Sequence, residues 1–336
     1  MRKKYKIISL FTGGGGLDLG FEKTGLFESV ACIESEPLFY ETLRINKSKG
    51  FMKRAKIFND SVGEINVSPF LKQNNLKYVN GVIGGPPCES FSVMGKKDGI
   101  TSSKGKLVFD FFDWVVNACP NFFLMENVPR LANIENGSVL KKLIRIPTEA
   151  GYKVNYKILN ASHFGAATKR ERLFLVGVKS EKPFEWPSRS HGESDLFNQL
   201  VPLVTTKDAF ENLPKASKLK PGSPQGHYEI KHSDVVKKRF SELKQGQWDK
   251  IRKRAKLCYA SPSPALVAGN LSGIRSHIHP ELPRELTNRE SARLHGFPDK
   301  FEFFGNHASM GKQIANSVPV QLAEALAKSI AKCLMN

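Results

Sequence analysis

Over the first 178 residues of this 336-residue chain, short apolar runs alternate with amphipathic stretches. The runs KIISLF (6–11), SVACIE (29–34), NGVIGG (80–85), NFFLMEN (121–127), YKVNYKIL (152–159) and RLFLVGV (172–178) read as strands. Between them, 17–24, 37–46, 106–118 and 138–149 space their apolar residues as helices do. Parallel neighbours need crossover connections, and helices are the usual ones. The expected fold is therefore α/β: a mostly parallel sheet covered by helices on both faces. Sheets of this kind bind ligands beyond the carboxyl ends of their strands, and most of the polar motifs below fall there.

The pattern then breaks. From about 181 to 270 the chain is rich in Pro, Ser and Lys and has little periodicity. Between 214 and 256 there are thirteen Lys and Arg against four Asp and Glu, with Tyr228, Phe240 and Trp248 interleaved. Cations mixed with aromatics suit a surface that tracks phosphates. Order returns at LTNRESARL (286–294), where Thr287 and Glu290 form a capping box, and at the amphipathic helix 318–334, expected to pack back on the sheet. Two domains are expected: 1–180 plus 310–336, and a smaller one over 181–309. The whole chain carries a formal charge of +19, which favours a polyanionic partner, nucleic acid first. The segment MRKKYKIISLF lacks the length and cleavage site of a secretory leader, and no run of eighteen apolar residues occurs. Five widely spaced cysteines without a CxxC pair argue against a disulfide framework or a zinc site. A cytoplasmic protein without a resident metal is expected.

The segment SLFTGGGGLDLGF (9–21) is a strand, four glycines and a helix start. Glycines let backbone turn tightly and approach a ligand, and a helix N-terminus adds donors for an anionic group. Glu34 ends the second strand, where a carboxylate can accept both ribose hydroxyls. Asp60, ending the next extended segment, can bond an adenine amine. A nucleoside-bearing cofactor follows. The spacing G-x-G-x-x-G is not met, since the third glycine falls on Asp18 or Leu19, though the loop alone leaves a dinucleotide open.

Three further motifs converge. GGPPCESFS (84–92) places Cys88 in a glycine- and proline-fixed turn; FFLMENVPRL carries Glu126 behind four apolar residues; TKRERLFLVGV carries Arg170 and Arg172. With FTGGGG, RELTNRESARLHGFPD (284–299) and GKQIANSVPVQLAEAL (311–326), in this order over nearly the whole length, the chain resembles the DNA cytosine-5 methyltransferases. The resemblance implies the S-adenosylmethionine-dependent, Rossmann-like fold, with 181–309 as target-recognition domain. It implies Cys88 as the nucleophile that adds to carbon 6 of a flipped-out cytosine, so that carbon 5 takes the methyl group. Glu126 would bond ring nitrogen 3 and the exocyclic amine, and Arg172, with Arg170 beside it, the carbonyl oxygen of the ring. Phe11, Gly13, Gly15, Gly16, Leu17, Glu34, Ser35, Asp60, Ser61, Pro86, Asn316 and Ser317 would line the cofactor pocket. Expected DNA contacts are Ser92, Lys96 and Lys97, in a glycine- and lysine-rich loop (92–106) that closes over DNA, and Lys237, Lys238, Arg239, Arg252 and Arg254.

Three positions depart from the family's pattern: Glu89 and Thr168 where glutamine is usual, and Ala315 where glycine is usual. The expected enzyme is a monomer acting on double-stranded DNA, plausibly the protective half of a restriction–modification pair with a cognate endonuclease. The alternatives are a tRNA cytosine-5 methyltransferase, whose CFTxxYxxY signature is absent, and a nucleotide-dependent oxidoreductase, which would leave Cys88, Glu126 and Arg172 without a role. His277 and His279 lie in a segment that could face DNA.

Overall fold

The computed structural model describes residues 3–76, 78–87, 103–194, 199–216, 224–251, 253–267 and 276–335, without the side chains of 103–105. Cys88, Glu89, Ser92, Lys96, Lys97 and Arg252 lie outside the described residues. By contacts the chain forms two compact units, one of Met1–Leu159, Glu171–Pro187 and Ala323–Asn336, the other of Asn160–Arg170 and Ser188–Leu322.

The first unit holds β1 (Tyr5–Leu10), α1 (Gly16–Lys23), β2 (Phe27–Ile33), α2 (Pro37–Ser48), β3 (Lys56–Phe58), α3 (Val67–Gln73), β4 (Gly81–Gly84), α4 (Ser103–Ala118), β5 (Phe122–Asn127), α5 (Ser138–Glu149) and β6 (Lys153–Asn160). After β7 (Thr168–Lys169), which belongs to the second unit, β8 (Glu171–Val178) returns to the sheet. The strand order is β3-β2-β1-β4-β5-β8-β6. Pairs from β3 to β5 are parallel, and β8 runs antiparallel to β5. All six strands read from the apolar runs are present within about two residues. The edge strand β3 has only three residues and α3 only seven, too few for a periodic signal.

The sheet is apolar on both faces, as a covered parallel sheet must be. Ile8, Leu10, Ile33, Val82, Phe123 and Met125 pack with Leu71 of α3, Phe111 and Phe112 of α4, and Leu143 of α5. Each fully buried phenylalanine here stabilises the fold by about 2–3 kcal/mol. On the other face Phe122 stacks on Phe21 of α1 at 6.3 Å and meets Phe27 edge-on at 5.8 Å. The C-terminal helix α10 (Val320–Leu334) is tied to α1 by the Lys23–Glu324 ion pair at 2.8 Å.

Asp18 explains why the third glycine of a dinucleotide loop is missing. Its carboxylate is fully buried between α1, β1 and β2, accepting from the hydroxyls of Ser9 and Ser29 at 2.8 Å each. Burial pushes its pKa up to about 6. Cys32, beside it, is buried as expected of a core thiol, as is Cys333, whereas Cys119 is exposed.

The second unit holds α6 (Thr206–Phe210), α7 (Asp234–Glu242), the β9 (Trp248–Asp249) and β10 (Arg254–Ala255) hairpin, β11 (Ser263–Pro264), α8 (Asn288–Leu294) and α9 (His307–Asn316). The capping box at Thr287 is present: the Glu290 amide donates to the Thr287 hydroxyl at 3.1 Å, and the Thr287 amide to the Glu290 carboxylate at 2.8 Å. Contacts divide the chain differently from a cut at 181 and 310. Segment 160–170 joins the second unit because β7 pairs with β11 and Arg170 donates to the Leu266 carbonyl at 3.2 Å. Residues 310–322 join it through Gln313, which donates to the Phe304 carbonyl (2.8 Å), and the Val320 amide, which donates to the His295 carbonyl (3.0 Å).

Candidate active site

Strand order places a switch point at β1, from which the chain leaves toward β2 on one side and β4 on the other. The carboxyl ends around that point carry the glycine loop after β1, Glu34 after β2, Gly85 and Pro86 after β4, and Glu126 at the end of β5.

After Leu10 the backbone turns sharply. Phe11 is left-handed at φ 52°, a conformation that costs a side-chain-bearing residue about 1 kcal/mol or more, and its ring packs on the main core. Gly13 (φ 60°) and Gly15 (φ 76°) are left-handed too, which glycine adopts without that cost. Gly15 is the N-cap of α1, Gly16 opens the helix, and Leu17 is buried in its first turn. The loop is braced from the neighbouring strand. The Gly13 amide donates to Glu34 Oε2 at 2.7 Å, and the Glu36 amide to Oε1 at 2.8 Å. Burial, the largest influence on Glu34, raises its pKa above the usual range while these amides oppose the rise. Each carboxylate oxygen carries a second lone pair, so the group can accept a ligand hydroxyl as well as brace the loop.

Asn59 was not legible as a site residue. Its amide donates to the Glu34 and Ser35 carbonyls at 2.9 and 3.1 Å, holding β2's exit against the segment that carries Asp60 and Ser61. Asp60 is exposed and Ser61 half-buried. Asn316 and Ser317 close α9 in the second unit, and the Ser317 hydroxyl donates to the Gln313 carbonyl at 2.7 Å.

At the other side of the switch point, Glu126 and Arg172 meet. Because β8 is antiparallel to β5, the start of β8 lies beside the end of β5. Glu126 faces Phe174, and Arg172, two residues away, lies on the same face as a diagonal neighbour. Arg172 Nε donates to Glu126 Oε1 at 2.8 Å, with the side chains 17% and 12% exposed. Glu126 also lies over β4's exit: a Cβ on Gly85 would come within 2.8 Å of Oε2. Glycine at 85 is what lets the carboxyl cross there. Asn127, a second residue not singled out from the sequence, donates to the Pro86 carbonyl at 3.1 Å and accepts from the Val128 amide at 2.9 Å. It fixes the turn two residues before Cys88.

Arg170 does not share that setting. Its side chain is buried in the second unit on the Leu266 carbonyl, whereas Arg172 pairs within the first.

The basic region divides in a similar way. Arg239 Nε pairs with Asp249 Oδ1 at 3.2 Å, and Arg254 pairs with Glu285. Both guanidiniums are committed to internal carboxylates; Lys237 and Lys238 are exposed, and Lys237 pairs with the exposed Asp234 of its own helix at 3.2 Å. His277 and His279 are buried, not turned outward: His277 Nε2 donates to the Pro264 carbonyl at 3.2 Å, and His279 Nδ1 accepts from the Glu281 and Leu282 amides. Burial, ahead of opposing and reinforcing charges, pushes His279 down to about 4. The arginines of 284–293 are scaffolding as well. Arg284 grips Glu290 with two bonds of 2.8 and 2.7 Å, and Arg289 donates to the carbonyls of Gln225, Pro298 and Phe301. Among the described residues no cluster of metal-ligating side chains occurs.

Such a site offers a glycine cradle with a carboxylate brace on one side of the switch point. On the other it offers a carboxyl–guanidinium pair able to bond the polar edge of a planar base. Known proteins share this arrangement of sequence. A model of the C-5 cytosine-specific DNA methylases matches residues 5–332. The chain is 33% identical to the type II methyltransferase M.NgoPII of Neisseria gonorrhoeae, over 98% of this chain and 96% of that one. It is 32% identical to M.FnuDI of Fusobacterium nucleatum, over 98% and 95%. The crystal structure of a prophage-encoded DNA modification methyltransferase of E. coli superposes with a TM-score of 0.80 at 27% identity, covering 99% of this chain and 100% of that one. With family model, relatives and sheet order in agreement, the chain belongs to the C-5 cytosine-specific DNA methylases.

Proposed function

We propose that this enzyme methylates carbon 5 of one cytosine within a short sequence of double-stranded DNA, as the protective methylase of a restriction–modification system. The observation that carries the site assignment is the Arg172–Glu126 pair at the carboxyl end of β5, above Gly85 and Pro86. Cytosine presents a carbonyl oxygen, a ring nitrogen acceptor and an exocyclic amine along one edge. Arg172 is a permanently charged donor for the oxygen, and the Glu126 carboxyl can serve the nitrogen and the amine. Base entry exchanges the Arg172–Glu126 bond for bonds to the base, so the pocket's polar groups are satisfied in both states. Cys88, two residues beyond the Pro86 that Asn127 holds, is assigned the attack on carbon 6.

The family's cofactor is S-adenosylmethionine, and the residues present fit its nucleoside part. Gly13 and Gly15 leave room for close approach, and Glu34 holds the loop while keeping lone pairs for ribose hydroxyls. Phe11, Gly16, Leu17, Ser35, Asp60, Ser61 and Pro86 are assigned to the same pocket; Asn316 and Ser317, which the resemblance also assigns to the cofactor, lie in the second unit. When bound, the sulfonium supplies an electrophilic methyl group.

The second unit is assigned DNA recognition, on its lysine-rich surface and the type II relatives' names. The enzyme acts as a monomer beside a separate endonuclease. Among the described residues no helix is long and apolar enough to cross a membrane, in keeping with a DNA-acting enzyme of the cytoplasm.

Bisulfite sequencing of DNA from cells expressing the protein tests the activity: one recurring methylated motif is expected, and none in the host alone. Duplexes carrying 5-fluorocytosine in that motif should form a denaturation-stable adduct with the wild type and none with Cys88→Ala. Methylation by Cys88→Ala would overturn the nucleophile assignment.

A further inference from the structure

The β9–β10 hairpin carries an isoleucine where water would ordinarily call for a polar residue. Ile251 is 72% exposed at the tip, Lys250 and Lys253 beside it are exposed, and Trp248 at the base is 52% exposed. The described residues around the tip are nonetheless bonded to the rest of the unit. Asp249 is buried, its carboxylate paired with Arg239 Nε at 3.2 Å and also accepting the Ile251 amide at 3.3 Å. The Trp248 ring stands edge-on to His277 at 6.1 Å, and the Ala255 amide donates to His277 Nδ1. Lys253 closes the turn in the left-handed region at φ 50°. One carboxylate thus fixes the strand and aims the isoleucine outward.

Lysines on both sides decide what covers this apolar tip. A second copy of the hairpin would bring like charges together, whereas a polyanion would bring opposite ones. The major groove of DNA is wide enough for a two-stranded ribbon, and the apolar group displayed on its base edges is the thymine methyl. We propose that Ile251 reads the 5-methyl of a thymine in, or beside, the methylated site, while Lys250 and Lys253 hold the hairpin to the flanking phosphates. This rests on the assignment of the second unit to DNA recognition.

The test uses full-length enzyme and a library of random duplexes, methylated in vitro and read by bisulfite sequencing. Wild-type sites should show a preference for thymine at one position. Replacing that thymine by uracil, which lacks only the methyl, should lower kcat/KM roughly fivefold. Ile251→Ala should lose the preference and treat thymine and uracil alike, with an unchanged melting temperature because the side chain is exposed. Lys250→Ala and Lys253→Ala should weaken binding of all sequences alike and lower the salt slope by about one each. Equal rates on thymine and uracil at every position of the wild type's site would overturn the proposal without any variant. So would an unaltered thymine preference in Ile251→Ala. If the wild type methylates nothing, the underlying assignment fails instead, whatever the variants do.

Discussion

Two arginine–glutamate pairs stand in this molecule, one in each unit, and they serve opposite ends. Arg284 meets Glu290 through two nitrogens, at 8% and 3% exposure, and Glu290 is further bonded by the Thr287 amide. Arg172 meets Glu126 through Nε, at 17% and 12% exposure, at a strand end beside a glycine turn. The first pair is closed on every side and can only hold α8 in place. The second is less deeply buried, lies beside the exit of β4 where Gly85 leaves the carboxyl room, and is the pair proposed to meet a ligand. Surroundings and burial separate the two pairs, where residue type does not.

The sharpest way to break this contrast is to remove one member of each pair. Glu126→Ala or Arg172→Ala should lower methyl transfer by about a thousandfold in a tritium-transfer assay, with little change in melting temperature. Glu290→Ala should do the reverse. It leaves a buried guanidinium without its partner, costing about 3–5 kcal/mol in denaturant titration while the remaining folded enzyme keeps its rate. A stable but inactive Glu290→Ala protein would erase the distinction.

Asp18 extends the comparison to a carboxylate with no cation among its bonding partners. Its pKa is raised to about 6, above an ordinary value of 3.8, so the folded state holds the proton more tightly than the unfolded one. Its contribution to stability is therefore fully present below about pH 4 and is lost as pH rises toward 6, by about 3 kcal/mol as an upper bound. Glu22 and Glu34 are raised and slope the same way, whereas Glu290 and Asp299 are lowered and slope the other. The difference between wild type and Asp18→Asn isolates the one group. Equal slopes between pH 4 and 6 would show that Asp18 is not protonated on folding. The smallest effect expected is at Asn127. Its replacement by alanine should reduce kcat by roughly tenfold through a loosened Pro86 turn, leaving cofactor affinity within about twofold. An unchanged kcat would mean the turn holds without it.

Legibility followed the range of the interaction. Strands, the glycine loop and the Thr287 capping box rest on spacing within a few residues, and the chain displays that directly, whereas Glu126 is marked only by the resemblance of its motif to the family's. Asn59, Asn127 and Asp18 act on partners from 9 to 41 residues away, and nothing local marks an asparagine that bonds a distant carbonyl. Arg239 and Arg254 illustrate the converse. In the sequence they belong to a basic run, but their charges are turned to Asp249 and Glu285, one of them thirty-one residues from its arginine by numbering. A count of basic residues gives the surplus charge and not which cations face solvent.

The chain passes between the two units four times, at 159–160, 170–171, 187–188 and 322–323. This bears on how portable recognition is between enzymes of the family. The second unit is sewn in, so transplanting 188–322 alone would separate Ser263–Pro264 from Thr168–Lys169, its strand partner. With recognition in the second unit, as proposed, an exchange of specificity has to carry the short segment Asn160–Arg170 with it. That segment ends one residue before the strand that delivers Arg172, so any graft is joined next to the group proposed to meet the base.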